Sequence, residues 1–296
     1  MRKKHLLIAA FLLLPVATYA APSTSYTGSI SYNNDNNLGL GSYGRDIVSD
    51  DSINLSASMS HTTNLNKQNR LVLNATANVE TYSKFDGLNN NGIDVKLGYQ
   101  FQFANQFRSP FYELYLLTGL SDYKSNFRDN THTQYGFNIS LRFDDRTLLR
   151  AGFSNESIDA DSIDFMGSVY ETFDAKRDSY YLGINITQTS KLSLYATVSM
   201  INGNITANWT SQTFDDYIAA GFANIRPAWQ TVPDAIFGNG WESTKYTADI
   251  TKLTLGFNYA FSSSNAIDTV FESLDADSGA YSYSIERFSL SYLHRF

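Results

Sequence analysis

The chain has 296 residues, with 22 Lys and Arg against 29 Asp and Glu. With Arg2, Lys3 and Lys4 set aside for the reason given below, 19 basic residues stand against 29 acidic ones, a net charge of −10, which excludes a nucleic-acid partner held by phosphate charge. Cysteine is absent, which excludes disulfides, thiol catalysis and thiolate metal sites.

In chain order, Arg2, Lys3 and Lys4 with His5 form a basic start, Leu6 to Val16 an apolar core, and Thr18, Tyr19 and Ala20 a small-residue cleavage site. This pattern predicts a secretory signal peptide over residues 1–20, leaving 21–296 as one domain. After residue 20 no apolar run approaches the roughly 20 residues a transmembrane helix needs. An exported chain of this kind is either soluble or a transmembrane barrel, because in lipid only helices and closed barrels satisfy their own backbone groups.

Strand patterns follow along the whole length, with large apolar residues alternating against Ser, Thr, Asn, Gln and Gly. They run over Tyr26–Tyr32, Ile53–Met59, Leu71–Thr81, Ile93–Phe103, Tyr112–Leu120, Tyr135–Phe143, Leu149–Phe153, Tyr180–Ile186, Leu192–Met200 and Leu253–Phe261. Ile93, Val95, Leu97, Tyr99, Phe101 and Phe103 against Asp94, Lys96, Gly98, Gln100 and Gln102 is the cleanest case. Ile267–Leu274 is ambiguous in phase, and Phe288–Phe296 closes a set of twelve, with ten or fourteen as alternatives. Polar faces this poor in charge, aromatic residues at the ends of the apolar faces, and spans of about 9–11 residues in the longer strands argue for a membrane barrel over a soluble sandwich.

The last strand alternates Phe288, Leu290, Tyr292, His294 and Phe296 against Ser289, Ser291, Leu293 and Arg295. It resembles the C-terminal strand of Gram-negative outer-membrane β-barrels, although His294 departs from the usual aromatic or aliphatic residue in its slot. The resemblance implies an all-β, antiparallel up-and-down transmembrane barrel in the outer membrane. It also implies that Phe288, Leu290, Tyr292 and Phe296 are read by the barrel assembly machinery, and that outer-membrane lipid and lipopolysaccharide surround the chain.

Connections alternate in length. Asn64–Gln68, Ala104–Ser109, Asp144–Arg146, Gln188–Ser190 and Ser262–Asn265 are short, whereas Asn33–Ser52, Tyr82–Asn91, Ser121–Thr131, Glu156–Arg177 and Gly203–Thr247 are long, with Asp275–Gly279 a short exception. Short periplasmic turns and long outer loops are the barrel pattern, and an even strand count puts both termini on the periplasmic side. The inward phase places Lys96, Arg142, Arg150, Lys252 and Arg295 in the lumen with Glu80, Asp94 and Glu113. Arg142 and Arg150 flank one tight turn and share a diagonal if Phe143 pairs with Thr147. Unpaired they would favour anions, and Glu113 is the expected neutralising partner.

The Gly203–Thr247 loop holds Trp209, Trp229 and Trp241. It is expected either to fold into the mouth or to cap it, with a short helix over Phe214–Ala223. The acidic Glu156–Arg177 loop lacks regular metal-ligand spacing, so no metal or cofactor is expected. His61, His132 and His294 are the only histidines after residue 20, and none stands in a motif of a known barrel hydrolase. The favoured reading is a non-enzymatic, narrow, porin-like channel for small hydrophilic solutes. The alternatives are a non-conducting barrel whose loops bind a partner or lipopolysaccharide, and an outer-membrane lipid-modifying hydrolase.

Overall fold

The computed structural model describes residues 21–104, 106–165, 168–213, 231–278 and 282–296. The expected signal peptide, the expected helix over 214–223 and Trp229 lie outside them. Fifteen strands are present among the described residues: β1 (Ser23–Asp35), β2 (Asp50–Asn64), β3 (Asn69–Tyr82), β4 (Asn90–Phe101), β5 (Phe111–Tyr123), β6 (Asn130–Arg142), β7 (Thr147–Ala160), β8 (Ile163–Phe165), β9 (Ser168–Tyr170), β10 (Ala175–Thr187), β11 (Leu192–Thr210), β12 (Thr231–Pro233), β13 (Trp241–Ala260), β14 (Asn265–Asp277) and β15 (Ser282–Arg295). Twelve of them pair antiparallel in chain order, and β1 closes the ring on β15. The other three decorate one end: β8 pairs with β9, and β12 adds to β13.

The alternation in sequence becomes two solvents. Leu55, Leu116 and Leu182 point outward and are 52%, 48% and 70% exposed, while the alternate positions fill the lumen with hydroxyl and amide pairs such as Ser29–Ser56 and Ser58–Thr76. β14 resolves its phase through its neighbours. Ile267 and Phe271 align with the outward Tyr292 and Phe288, which turns Asp268 and Glu272 inward.

Four of the short turns share one chemical device. Asn66, Asp144, Thr189 and Ser262 each accept, on one side-chain oxygen, the backbone N–H groups two and three residues on. Such a bond stands in for the lost ladder and fixes a tight reversal.

At the other end the strands run longer than the 9–11 residues expected, from 12 in β4 to 20 in β13. Past the apolar belt the chain no longer needs a greasy outward face, so pairing continues where the alternation has faded. The long connections shrink accordingly. The Glu156–Arg177 loop reduces to 161–174, and Gly203–Thr247 to 211–240, because β11 and β13 stay paired as far as Thr210 and Trp241.

This β11–β13 ribbon governs the loop end. β10 leaves β11 at Gly203 and β14 leaves β13 at Asp249, so the remainder is a two-stranded ribbon edged only by the three residues of β12. Gly203 has φ +153°, and a Cβ there would run into the Lys176 carbonyl oxygen, so only glycine suits this junction. Beyond it the inward face turns apolar. Ile205, Ala207, Tyr246, Ala248 and Ile250 join Ala276, Tyr283 and Ile285 in a buried cluster, with Leu40 of the β1–β2 loop packed against it. Ring order places β3 and β4 across the barrel from β11 and β13. Yet Phe237, in the loop beyond β12, packs in a tilted contact on Phe85 of the β3–β4 loop, ring centroids 5.0 Å apart. Residues 231–240 therefore reach across the mouth.

Candidate functional site

At the turn end of the lumen, β3 to β7 and β10 line a cavity of about 290 Å³ with Arg70, Arg142, Arg150, Gln100, Glu113, Asn138, Ser140 and Tyr181. Phe143 N–H donates to Thr147 O at 3.0 Å, so the tight turn aims both of its flanking arginines into this space. Arg142 opposes Leu148, and Arg150 opposes Ser140.

The expected pairing with Glu113 does not form. Glu113 is taken by Lys96 at 3.0 Å and also accepts from Gln100 at 3.0 Å and Asn138 at 2.7 Å. Gln100 on β4 and Asn138 on β6 are the residues paired with Glu113, and Lys96 reaches it along β4 from four residues away, so the carboxylate is satisfied before an arginine meets it. The arginines rest on neutral groups instead. Arg70 donates to Gln100 at 2.6 Å and lies over Phe111, Arg142 lies over Phe107 at 5.7 Å, and Arg150 donates to Asn185 at 2.6 Å. Among the described residues, none of the three meets a carboxylate in an ion pair.

The remaining sequence candidates divide between other walls. Lys252 pairs with Glu272 at 3.2 Å. Glu80 accepts from Ser52 at 2.7 Å and Asn33 at 3.4 Å. Asp94 contacts His132 at 2.7 Å across β5, where Gly119 leaves the room, since a Cβ there would collide with both side chains. Among the described residues no hydroxyl hydrogen-bonds the His132 ring, and no group of three or more His, Asp or Glu could hold a metal. Glu156 of the acidic loop lies in β7 and faces Arg177 at 3.5 Å.

Sequence reading missed Arg70, Arg287, Asp268 and Glu272. Arg70 lies one residue outside the strand drawn at Leu71, and Arg287 one outside the strand drawn at Phe288. Carrying each alternation one residue further would have found them. Arg287 pairs with Asp35 at 2.7 Å and lines, with Asp50, Glu80 and Glu272, a second cavity of about 310 Å³ beneath the β1–β2 loop.

On the outside, Phe288, Leu290, Tyr292 and Phe296 form one exposed apolar row. Phe296 N–H donates to Tyr26 O at 3.1 Å, which carries the β1–β15 seam to the last residue. His294 fits its slot because Asn265 in the adjacent turn meets its ring at 2.7 Å while Phe296 packs edge-on to it at 4.6 Å.

A closed ring of twelve strands with a lipid-type exterior and a polar interior is matched by an outer-membrane channel from Pseudomonas putida F1. The TM-score is 0.57 at 11% identity, over 96% of this chain and 100% of that one. The fold is that of an outer-membrane β-barrel. The NanC porin is also similar, with a TM-score of 0.50 at 9% identity over 90% of this chain and 98% of that one. Identities this low show the barrel architecture alone. No protein family and no curated protein matches the sequence. The turn-end cavity sets three guanidinium groups beside neutral donors and acceptors and a Glu113 that is already paired with Lys96.

Proposed function

We propose that the protein is a passive channel of a Gram-negative outer membrane, with its termini and short turns on the periplasmic side. It passes small hydrophilic solutes and prefers anions. The observation that carries this reading is the placement of Arg70, Arg142 and Arg150 around one cavity, with no carboxylate among the described residues paired to any of them. Lumen-facing side chains set selectivity in a barrel. A unit charge about 5 Å from an ion in aqueous surroundings contributes about 0.8 kcal/mol, and salt reduces this. Three arginines therefore amount to about 2 kcal/mol, a roughly 30-fold bias toward anions at low salt.

The test is a reversal potential in planar bilayers under a KCl gradient. Chloride is expected to outrun potassium, and each Arg→Gln substitution is expected to lower the permeability ratio by roughly threefold. A potassium-selective pore, or a ratio untouched by all three substitutions together, sinks the anion reading. A second reading, a barrel whose loops bind a partner at the cell surface, draws support from the ribbon lying across the mouth.

A further inference from the structure

Among the described residues, the β11–β13 ribbon and residues 231–240 meet four neighbouring connections. Asn208 N–H and its side-chain amide donate to Gly39 O in the β1–β2 loop at 2.8 and 3.1 Å, and Asp46 accepts from Thr210 N and Oγ1 at 3.0 Å. Thr206 Oγ1 donates to Thr172 O at 2.8 Å in the β9–β10 connection. Ile236 presses on Gly87 of the β3–β4 loop, where a Cβ would stand 2.7 Å from it.

The strongest fastening is a charge. Asp234 is wholly buried, accepts from Ser243 Oγ at 2.6 Å and forms an ion pair with Arg128 of the β5–β6 loop, itself only 14% exposed. Arg128 also lies over the Phe173 ring at 4.3 Å, with Phe127 and Phe237 each at 6.0 Å.

A solute entering from this side meets the ribbon before it meets the arginine cavity. Beyond Gly203 and Asp249 the ribbon has lost β10 and β14 and keeps only the short β12 at its edge, and a two-stranded hairpin is marginal by itself. Its position therefore depends on its packing against Ala276, Tyr283 and Ile285 and on what it touches across the mouth. A buried ion pair suits that role. Desolvation offsets much of its attraction, so the intact pair adds little net stability, whereas loss of one partner is strongly unfavourable.

We propose that the ribbon, with residues 231–240, is a lid over the loop-end mouth, latched to the opposite wall by Arg128 and Asp234 and hinged at Gly203. The gating role rests on the channel reading above; the hinge does not.

Two measurements test it. The chain has no native cysteine, so Gly87→Cys with Ile236→Cys gives a lid that oxidation locks and reduction frees. Conductance is expected to be lower oxidised than reduced. Separately, spin labels at Asn126→Cys and Ala235→Cys report the gap between lid and wall. Arg128→Ala is expected to add a longer-distance population, since stranding a buried carboxylate shifts the equilibrium by roughly a hundredfold or more. Equal conductance of oxidised and reduced forms in a conducting protein overturns the gate. A distance distribution unchanged by Arg128→Ala in a heat-modifiable, folded barrel overturns the latch. A longer distance in a protein that never conducts refutes the channel reading and leaves the hinge standing.

Discussion

Glu113 is the carboxylate nearest the arginine cavity, and its effect on an ion there depends on Lys96. At 3.0 Å, with Gln100 and Asn138 also donating, the pair presents almost no net charge to the lumen. Tyr115 adds to the arrangement from the neighbouring inward position of β5, its ring 4.3 Å from the Lys96 ammonium. Lys96→Met is therefore expected to release a negative charge beside Arg70 and move bilayer selectivity toward cations. Glu113→Gln is expected to free a cation and move selectivity toward anions. Equal displacements in the same direction from both variants would show that the pair acts through packing and not through charge. Gln100 and Asn138 keep neutral contacts to position 113 in both variants, so the comparison isolates the charge.

The last strand shows the same dependence on neighbours one scale up. β15 is held by β14 over 13 residue pairs and by β1 over nine, and Phe296 extends the β1 edge by one more hydrogen bond to Tyr26. Its ring stands 3.5 Å from the place a Cβ would occupy at Gly28, so it covers the seam at the point where the ring of strands closes. Removing Phe296 is expected to reduce the amount of heat-modifiable barrel in the outer-membrane fraction while secretion across the inner membrane continues. An unchanged amount would show that the seam and the assembly machinery both do without this residue.

The strand core and its phase were legible in the sequence because lipid and water impose a period of two that composition displays directly, as in Ile93 to Phe103. The upper ends of the strands were not, because outside the lipid that constraint lapses. Ile205, Ala207 and Trp209 alternate with the inward face apolar, the reverse of the barrel below, since there Ile205 and Ala207 pack with Leu40, Ala276, Tyr283 and Ile285 instead of facing a watery lumen. β14 was ambiguous because Val270 and Leu274 put apolar residues on its inward face beside Asp268 and Glu272, and only pairing with β13 and β15 decides between them. The arginine pair was legible from a single turn. Its partner was not, because that depends on whether Lys96 or an arginine lies nearer to Glu113 across three strands.

At the scale of the whole molecule, the barrel separates two media with one layer of backbone, and each side chain is committed to one of them by parity. Leu116 lies mid-strand on the outside, opposite Leu97 and Tyr135 and 48% exposed. Ser58 lies inside, bonded to Thr76 at 3.0 Å. The same substitution at the two positions should therefore have opposite consequences. Leu116→Arg places an unpaired guanidinium near the bilayer midplane and is expected to cost about 2–4 kcal/mol of folding free energy in lipid vesicles. Ser58→Arg adds its charge to a lumen that already solvates arginines, so stability is expected to change little while the pore narrows and its conductance falls. Urea titration of vesicle-folded protein, followed by tryptophan emission and heat modifiability, measures the first. Bilayer recordings of the same preparations measure the second. Equal destabilisation by both variants would contradict the assignment of inner and outer faces, because no arrangement in which alternate residues face lipid and water would penalise the two positions alike.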